Sequence, residues 1–263
     1  MELMIIENDV EQCKFYDECG VDRIFIDIER IGKKERQGHL DTVISDHQIS
    51  DIAKIKPHLK ESKTLLRINP LYEDSRSEIE EGISAGADII MLPMFTSPLE
   101  VEKFINLING RAKVSLLLET PAALFRLDDI LALPGIHEIH IGLNDLHIAL
   151  GLDFMLEIYK SPILELVCSK IISAGISLGV GGIAPLDMGM VKGSLVTLEA
   201  IRLGSERSIL SRAFPKDDKE VFKNEIIRLR KFLKDSRVSE ENRNINRELI
   251  EEINLALNNF VNP

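Results

Sequence analysis

Residues 114–124 read VSLLLETPAAL. Val114 to Leu118 form an almost unbroken apolar run, the pattern of a strand buried on both faces. Glu119 then puts a charge where that strand emerges. Thr120 is a natural helix N-cap. Pro121 suits the first helical position, where its missing N–H would have no partner anyway. The stretch reads strand, acid, helix start.

The same unit recurs along the chain. GVDRIFID (20–27), GADIIMLP (86–93), GIHEIHIG (135–142) and GISLGVGG (175–182) each place a glycine just before a short apolar run. Glycine there is the usual residue after a helix, and the run is the next strand. Completing the pattern gives eight strand candidates: 3–8, 23–29, 63–69, 88–94, 113–119, 138–144, 176–182 and 199–204. Amphipathic segments such as SPLEVEKFINLI (97–108) lie between them. Alternation of this kind means parallel strands covered by helices. Eight units in about 200 residues predict a (β/α)₈ TIM barrel over residues 1–215 rather than a doubly wound sheet. No GxGxxG follows the first strand, as a dinucleotide-binding sheet would have. Residues 216–263 read as two further helices. They form either an eighth barrel helix with an appendage or an arm that packs on a neighbouring subunit.

Composition narrows the function. The net charge of −11 argues against nucleic acid or an anionic membrane as a partner, since both need basic surface. An anionic small ligand stays possible, because a pocket can be locally basic. The three cysteines, Cys13, Cys19 and Cys168, have no metal-type spacing, and their odd number fits a reducing compartment. The first residues, MELMIIENDVEQ, carry acids where a signal peptide needs lysine or arginine. No apolar run approaches the ~18 residues of a membrane span. Cytoplasm is the expected location.

In such a barrel the chemistry sits where the carboxyl ends of the strands meet. Those ends hold Glu7, Asn8, Asp27, Glu29, Arg30, Arg67, Asn69, Pro93, Met94, Glu119, Asn144, Asp145, Gly181, Gly182, Gly204 and Ser205. Neighbouring strands lie about 4.8 Å apart, so Glu119 and Asp145 can share one cation. Two carboxylates completed by water and substrate oxygens suit Mg²⁺ or Mn²⁺, whereas zinc would ask for histidine or cysteine. Glu119 has an alternative, an ion pair with Arg67, and Asp145 has another, the N-cap of a helix beginning at Leu146. Arg67 can hold a carboxylate or stabilise an enolate oxygen. Asn144 is placed to bind substrate. Gly181 and Gly182 would let the backbone approach a bound anion closely. A Schiff-base aldolase needs a lysine near a strand end, but Lys63 and Lys113 lie at strand starts. His39 and His47, in the long segment after the second strand, are each a candidate base or a solvated loop residue. His140 reads as a core histidine. The runs KKER (33–36) and DDKE (217–220) read as solvated faces.

RINPL (67–71), IIMLPM (89–94), LLETPAAL (117–124) and IGLNDLHIALG (141–151) together resemble the HpcH/HpaI aldolase and citrate lyase β-subunit family, over roughly residues 20 to 205. The resemblance implies a phosphoenolpyruvate/pyruvate-type barrel. It implies Mg²⁺ or Mn²⁺ on Glu119 and Asp145, and Arg67 on the substrate's carboxylate or enolate. It also implies a homo-oligomer. The substrate would be a 2-oxo acid cleaved by an aldolase or, in the lyase branch, an acyl thioester. The aldolase branch has D-x-E-H after the second strand, its histidine moving protons. Here the sequence is Asp27-Ile28-Glu29-Arg30, so Glu29 or His39 would have to replace that base. The altered motif is also what a barrel kept only for binding would show.

Overall fold

The computed structural model describes residues 1–33, 45–236 and 245–261. Eight parallel strands close into a barrel in chain order: β1 (Glu2–Ile6), β2 (Arg23–Asp27), β3 (Lys63–Arg67), β4 (Ile89–Leu92), β5 (Lys113–Leu118), β6 (Glu138–Ile141), β7 (Ser177–Ile183) and β8 (Arg207–Leu210). β8 pairs back onto β1 through Glu2 with Arg207 and Met4 with Ile209. The connecting helices are α1 (Val10–Glu18), α2 (Ser50–Ile55), α3 (Ser75–Ala85), α4 (Pro98–Ile108), α5 (Pro121–Phe125), α6 (Leu127–Leu131), α7 (Leu143–Ala149), α8 (Pro162–Ser173) and α9 (Gly193–Arg202). Among the described residues, no helix is long and apolar enough to cross a membrane.

The first seven strands fall where the sequence places them, and the eighth does not. Residues 199–204 are the end of α9 and the turn that stops it. Gly204 sits at φ +82°. The N–H of Ser205 donates to the carbonyl of Ala200 at 2.9 Å, and that of Gly204 to Ile201 at 3.0 Å. This is the Schellman closure of a helix. The strand begins three residues later, at Arg207.

The C-terminal helices extend the barrel wall. In α10 (Lys219–Ser236), Phe222 packs on Tyr16 and Phe15 of α1, with ring centroids 4.6 and 5.8 Å apart. This helix closes the ring between β8 and β1, so the compact body continues past residue 215. The last helix, α11 (Ile245–Val261), lies on its own chain. It buries Leu249 and Ile253, and Lys192 pairs with Glu252 at 3.3 Å.

The lumen has three levels. At the amino end, Arg23 makes two hydrogen bonds to Glu138, of 2.7 and 3.0 Å, with Arg207 3.7 Å from the same carboxylate. The waist is apolar: Met4, Phe25, Leu65, Ile89, Met91 and Leu117. His140 shares that level, and its Nε2 is 3.0 Å from the carbonyl oxygen of Gly181. Burial pushes its pKa down to about 3, so it is a neutral core histidine. The third level is the carboxyl end.

Candidate active site

Asp27 and Arg67 end adjacent strands in direct register. Arg67 grips the carboxylate through Nε and Nη2, at 2.8 and 2.7 Å, a two-bond fork that fixes the guanidinium plane. The guanidinium also lies 5.5 Å from the ring centre of Phe25 at the waist. Glu29, two residues on, is 3.5 Å from Nε of Arg67. The Arg67 and Lys33 charges outweigh burial and hold the carboxyl of Asp27 well below the usual carboxylate range. His47 closes the loop from behind: the N–H of Asp27 donates to its Nδ1 at 3.0 Å. Burial lowers the pKa of His47, so this histidine serves β2 as a neutral acceptor.

Lys33 was not legible as a site residue. It belongs to the KKER run, which reads as solvated, yet it is only 4% exposed. Its Nζ is 2.9 Å from Asp27 and 3.8 Å from Glu29. The one available signal was its spacing, four residues after Glu29. A lysine therefore does sit at the mouth of the barrel, engaged by two carboxylates. Arg30 turns the other way: its half-exposed side chain reaches Asp46 at 3.2 Å. The fourth position of D-x-E-R faces outward, and Lys33 fills the space inside.

Glu119 follows β5 directly. Thr120 caps α5, its hydroxyl accepting from the N–H of Ala123 at 3.1 Å, as the sequence predicts. Only 2% of Glu119 is exposed. Its Oε1 accepts from the N–H of Met94 at 3.1 Å. Its Oε2 rests against Gly142, where a Cβ would lie only 2.7 Å away. Asp145 is not the N-cap of a helix starting at Leu146, because α7 starts at Leu143 after Gly142. Asp145 is instead a buried residue of its first turn. Burial raises the pKa of Glu119 well above its usual value, and the charges of Glu29 and Asp145 add to the rise. Arg67 opposes the shift without cancelling it.

The other expected residues divide. Asn144 is half-buried in the first turn of α7. Gly181 lies inside β7 at an extra residue in the pairing with β8, with φ +48°. The space beside its Cα is filled by Leu143, 2.6 Å from a would-be Cβ. Gly182 is the exposed one, with only the carbonyl oxygen of Ile209 close by, at 3.2 Å. His39 lies outside the described residues.

The mouth thus gathers the carboxylates Asp27, Glu29, Glu119 and Asp145 around the cations Arg67 and Lys33. Buried like charges are costly, and an excess of hard oxygen donors is what a divalent cation relieves. Among the described residues, no group of three or more His, Cys, Asp or Glu side chains is arranged as a complete metal cage. Glu119 and Asp145 would be two ligands of an open site, the rest coming from water and substrate.

Known proteins share this fold. The HpcH/HpaI aldolase from Desulfitobacterium hafniense DCB-2 has a TM-score of 0.61 at 15% identity, covering 89% of this chain and 92% of that one. A citrate lyase from Burkholderia xenovorans LB400 scores 0.63 at 16% identity, covering 86% and 76%. At those identities the likeness is one of fold. The pyruvate kinase of Methylorubrum extorquens is 34% identical over 94 residues, 36% of this chain. The match spans only 18% of that protein's length. The model of HpcH/HpaI aldolase/citrate lyase matches residues 19–180, more than half of the 263, and takes in Arg67, Glu119 and Asp145. The chain belongs to the HpcH/HpaI aldolase/citrate lyase family.

Proposed function

We propose that the protein is a divalent-cation-dependent carbon–carbon lyase acting on a 2-oxo acid through its enolate. The observation that carries this reading is the buried excess of carboxylate at the mouth, centred on Glu119 beside Asp145 and facing Arg67. Glu119 and Asp145 would hold Mg²⁺ or Mn²⁺. When bound, that ion supplies a Lewis acid beside the 2-oxo group and so lowers the cost of forming the enolate. Arg67 commits Nε and Nη2 to Asp27, and its Nη1 makes none of the described hydrogen bonds. Nη1 would offer its N–H donors to a substrate oxygen. Because Asp27 fixes the plane of the guanidinium, the donor needs no reorganisation as charge develops. Glu29, buried between Arg67 and Lys33, is the carboxylate within the site able to accept a proton from substrate or water.

The test is exchange of the methyl protons of pyruvate in D₂O, followed by NMR with Mg²⁺ or Mn²⁺ and then with EDTA. Exchange that needs metal and disappears in Glu119→Ala supports the reading. Absence of exchange with either metal removes pyruvate enolisation as the reaction. A second reading, cleavage of an acyl thioester, is favoured by the RINP (67–70) and ETP (119–121) wording, which leans toward the lyase branch of the family. Competition by free coenzyme A separates the two. Self-association is a further proposal, supported by apolar side chains left on the surface such as Phe125, 93% exposed.

A further inference from the structure

Glu119 is held in a way that two independent features impose. Met94 lies at φ +54°, a left-handed conformation that a side chain disfavours. Such strain persists only where the surroundings demand it. Its product here is an N–H aimed at Oε1 of Glu119, 3.1 Å away. On the other side, Gly142 leaves room for Oε2. A Cβ there would stand 2.7 Å from Oε2, 3.0 Å from the Cβ of Glu119 and 3.2 Å from Cδ1 of Leu117. The Cβ of Glu119 stays in place however the carboxylate turns, so swinging the acid aside would not relieve the whole clash. Met94 is on the loop after β4 and Gly142 on the loop after β6, so the strands flanking β5 grip the acid that follows it.

We propose that Met94 and Gly142 form a cradle that makes Glu119 a one-oxygen ligand, and that this cradle selects small octahedral cations, Mg²⁺ or Mn²⁺, over Ca²⁺. The inference rests on the cation reading above and adds the source of its selectivity. Oε1 accepts the Met94 N–H while Oε2 faces Gly142, so turning the carboxylate to present both oxygens evenly would lose that hydrogen bond. Ca²⁺ takes six to eight oxygens and favours two-oxygen carboxylates, whereas Mg²⁺ accepts single oxygens in a tight octahedron. Gly142 and Met94 are positioning residues in this scheme, since they act through Glu119.

The experiment uses the full chain and Mn²⁺, titrated by calorimetry and by the loss of its free electron-resonance signal, with Ca²⁺ as competitor. In the wild type, Ca²⁺ should displace Mn²⁺ only at concentrations about tenfold or more above those for Mg²⁺. Gly142→Ala should weaken Mn²⁺ by about 10- to 100-fold, the usual scale for losing a group that orients a ligand. It should also narrow the preference over Ca²⁺. Adding Glu119→Asp to Gly142→Ala shortens the acid by one methylene and should recover part of the loss, whereas no recovery would overturn the steric basis. A folded Gly142→Ala that binds Mn²⁺ like the wild type overturns the cradle and leaves the cation reading standing. A wild type that binds no Mn²⁺ overturns both. If Gly142→Ala fails to fold, the wild-type competition decides, and equal displacement by Ca²⁺ and Mg²⁺ overturns the proposal.

Discussion

The two ends of this barrel carry buried charge in different proportions. At the amino end, the buried Arg23 and Arg207 face the buried Glu138 and the exposed Glu2 and Glu206. At the carboxyl end, Arg67 and Lys33 face Asp27, Glu29, Glu119 and Asp145. At the amino end each buried charge has an opposite charge beside it. Among the described residues, the carboxyl end gathers more buried carboxylates than cations. Crowded acids of this kind raise the pKa of Glu119, and perturbed pKa values cluster at functional sites.

The sharpest way to break this comparison is Glu119→Gln. Turnover should fall by at least about 10²-fold, the scale of losing one preorganised electrostatic group. The same variant should melt higher than the wild type in EDTA, because it removes a buried like charge. A lower melting temperature in EDTA would show that the excess charge is compensated in some other way. Arg23→Met should do the reverse. It leaves Glu138 buried without its fork and should cost about 3–5 kcal/mol in a denaturant titration, while Mn²⁺ affinity stays unchanged. Lys33→Met should lower kcat roughly tenfold and also lower stability, because it takes a buried cation away from Asp27 and Glu29. It frees one side of Asp27, and so loosens Arg67, without touching the cation ligands. An unaltered kcat would make Lys33 a structural filler.

The smallest effect is one of pH, and it runs in opposite directions for two acids of one mouth. Glu119 has its folded pKa raised above the usual 4.5, so above that value the native state keeps a proton the unfolded chain has lost. Its contribution to stability therefore falls as pH rises. Asp27 is depressed below the usual 3.8, so its contribution is present above that value and is lost as pH falls below it. On the proposed reading, a divalent cation would replace the proton on Glu119. The rise in melting temperature on adding Mn²⁺ should consequently grow from pH 5 to pH 8, and a rise independent of pH would place the ion elsewhere.

Much of this was legible in the chain. Glu119 was found because an apolar strand, an acid, an N-cap and a proline are all local signals. Arg67 and Asp145 came from their places at strand ends. The eighth strand was misplaced because Ala200 and Leu203 make residues 199–204 look like a buried run, although their spacing is helical. Gly204 followed by RSIL repeats the glycine-then-run rule that found other strands, and points to Arg207 as the start. Lys33 could not be read as a site residue, because only the turn at residues 30–33 sends Arg30 out and Lys33 in. Met94 was legible as a strand-end residue, but nothing about a methionine in sequence announces a left-handed backbone.

The apolar waist has a consequence for traffic. Met4, Phe25, Leu65, Ile89, Met91 and Leu117 are at most 3% exposed and close the lumen between the two charged ends. The barrel has one door. Whatever enters must leave by the same mouth, and every proton given up or taken in during turnover must be exchanged with the solvent on that side. The order in which two products depart is then decided by which of them lies nearer the opening.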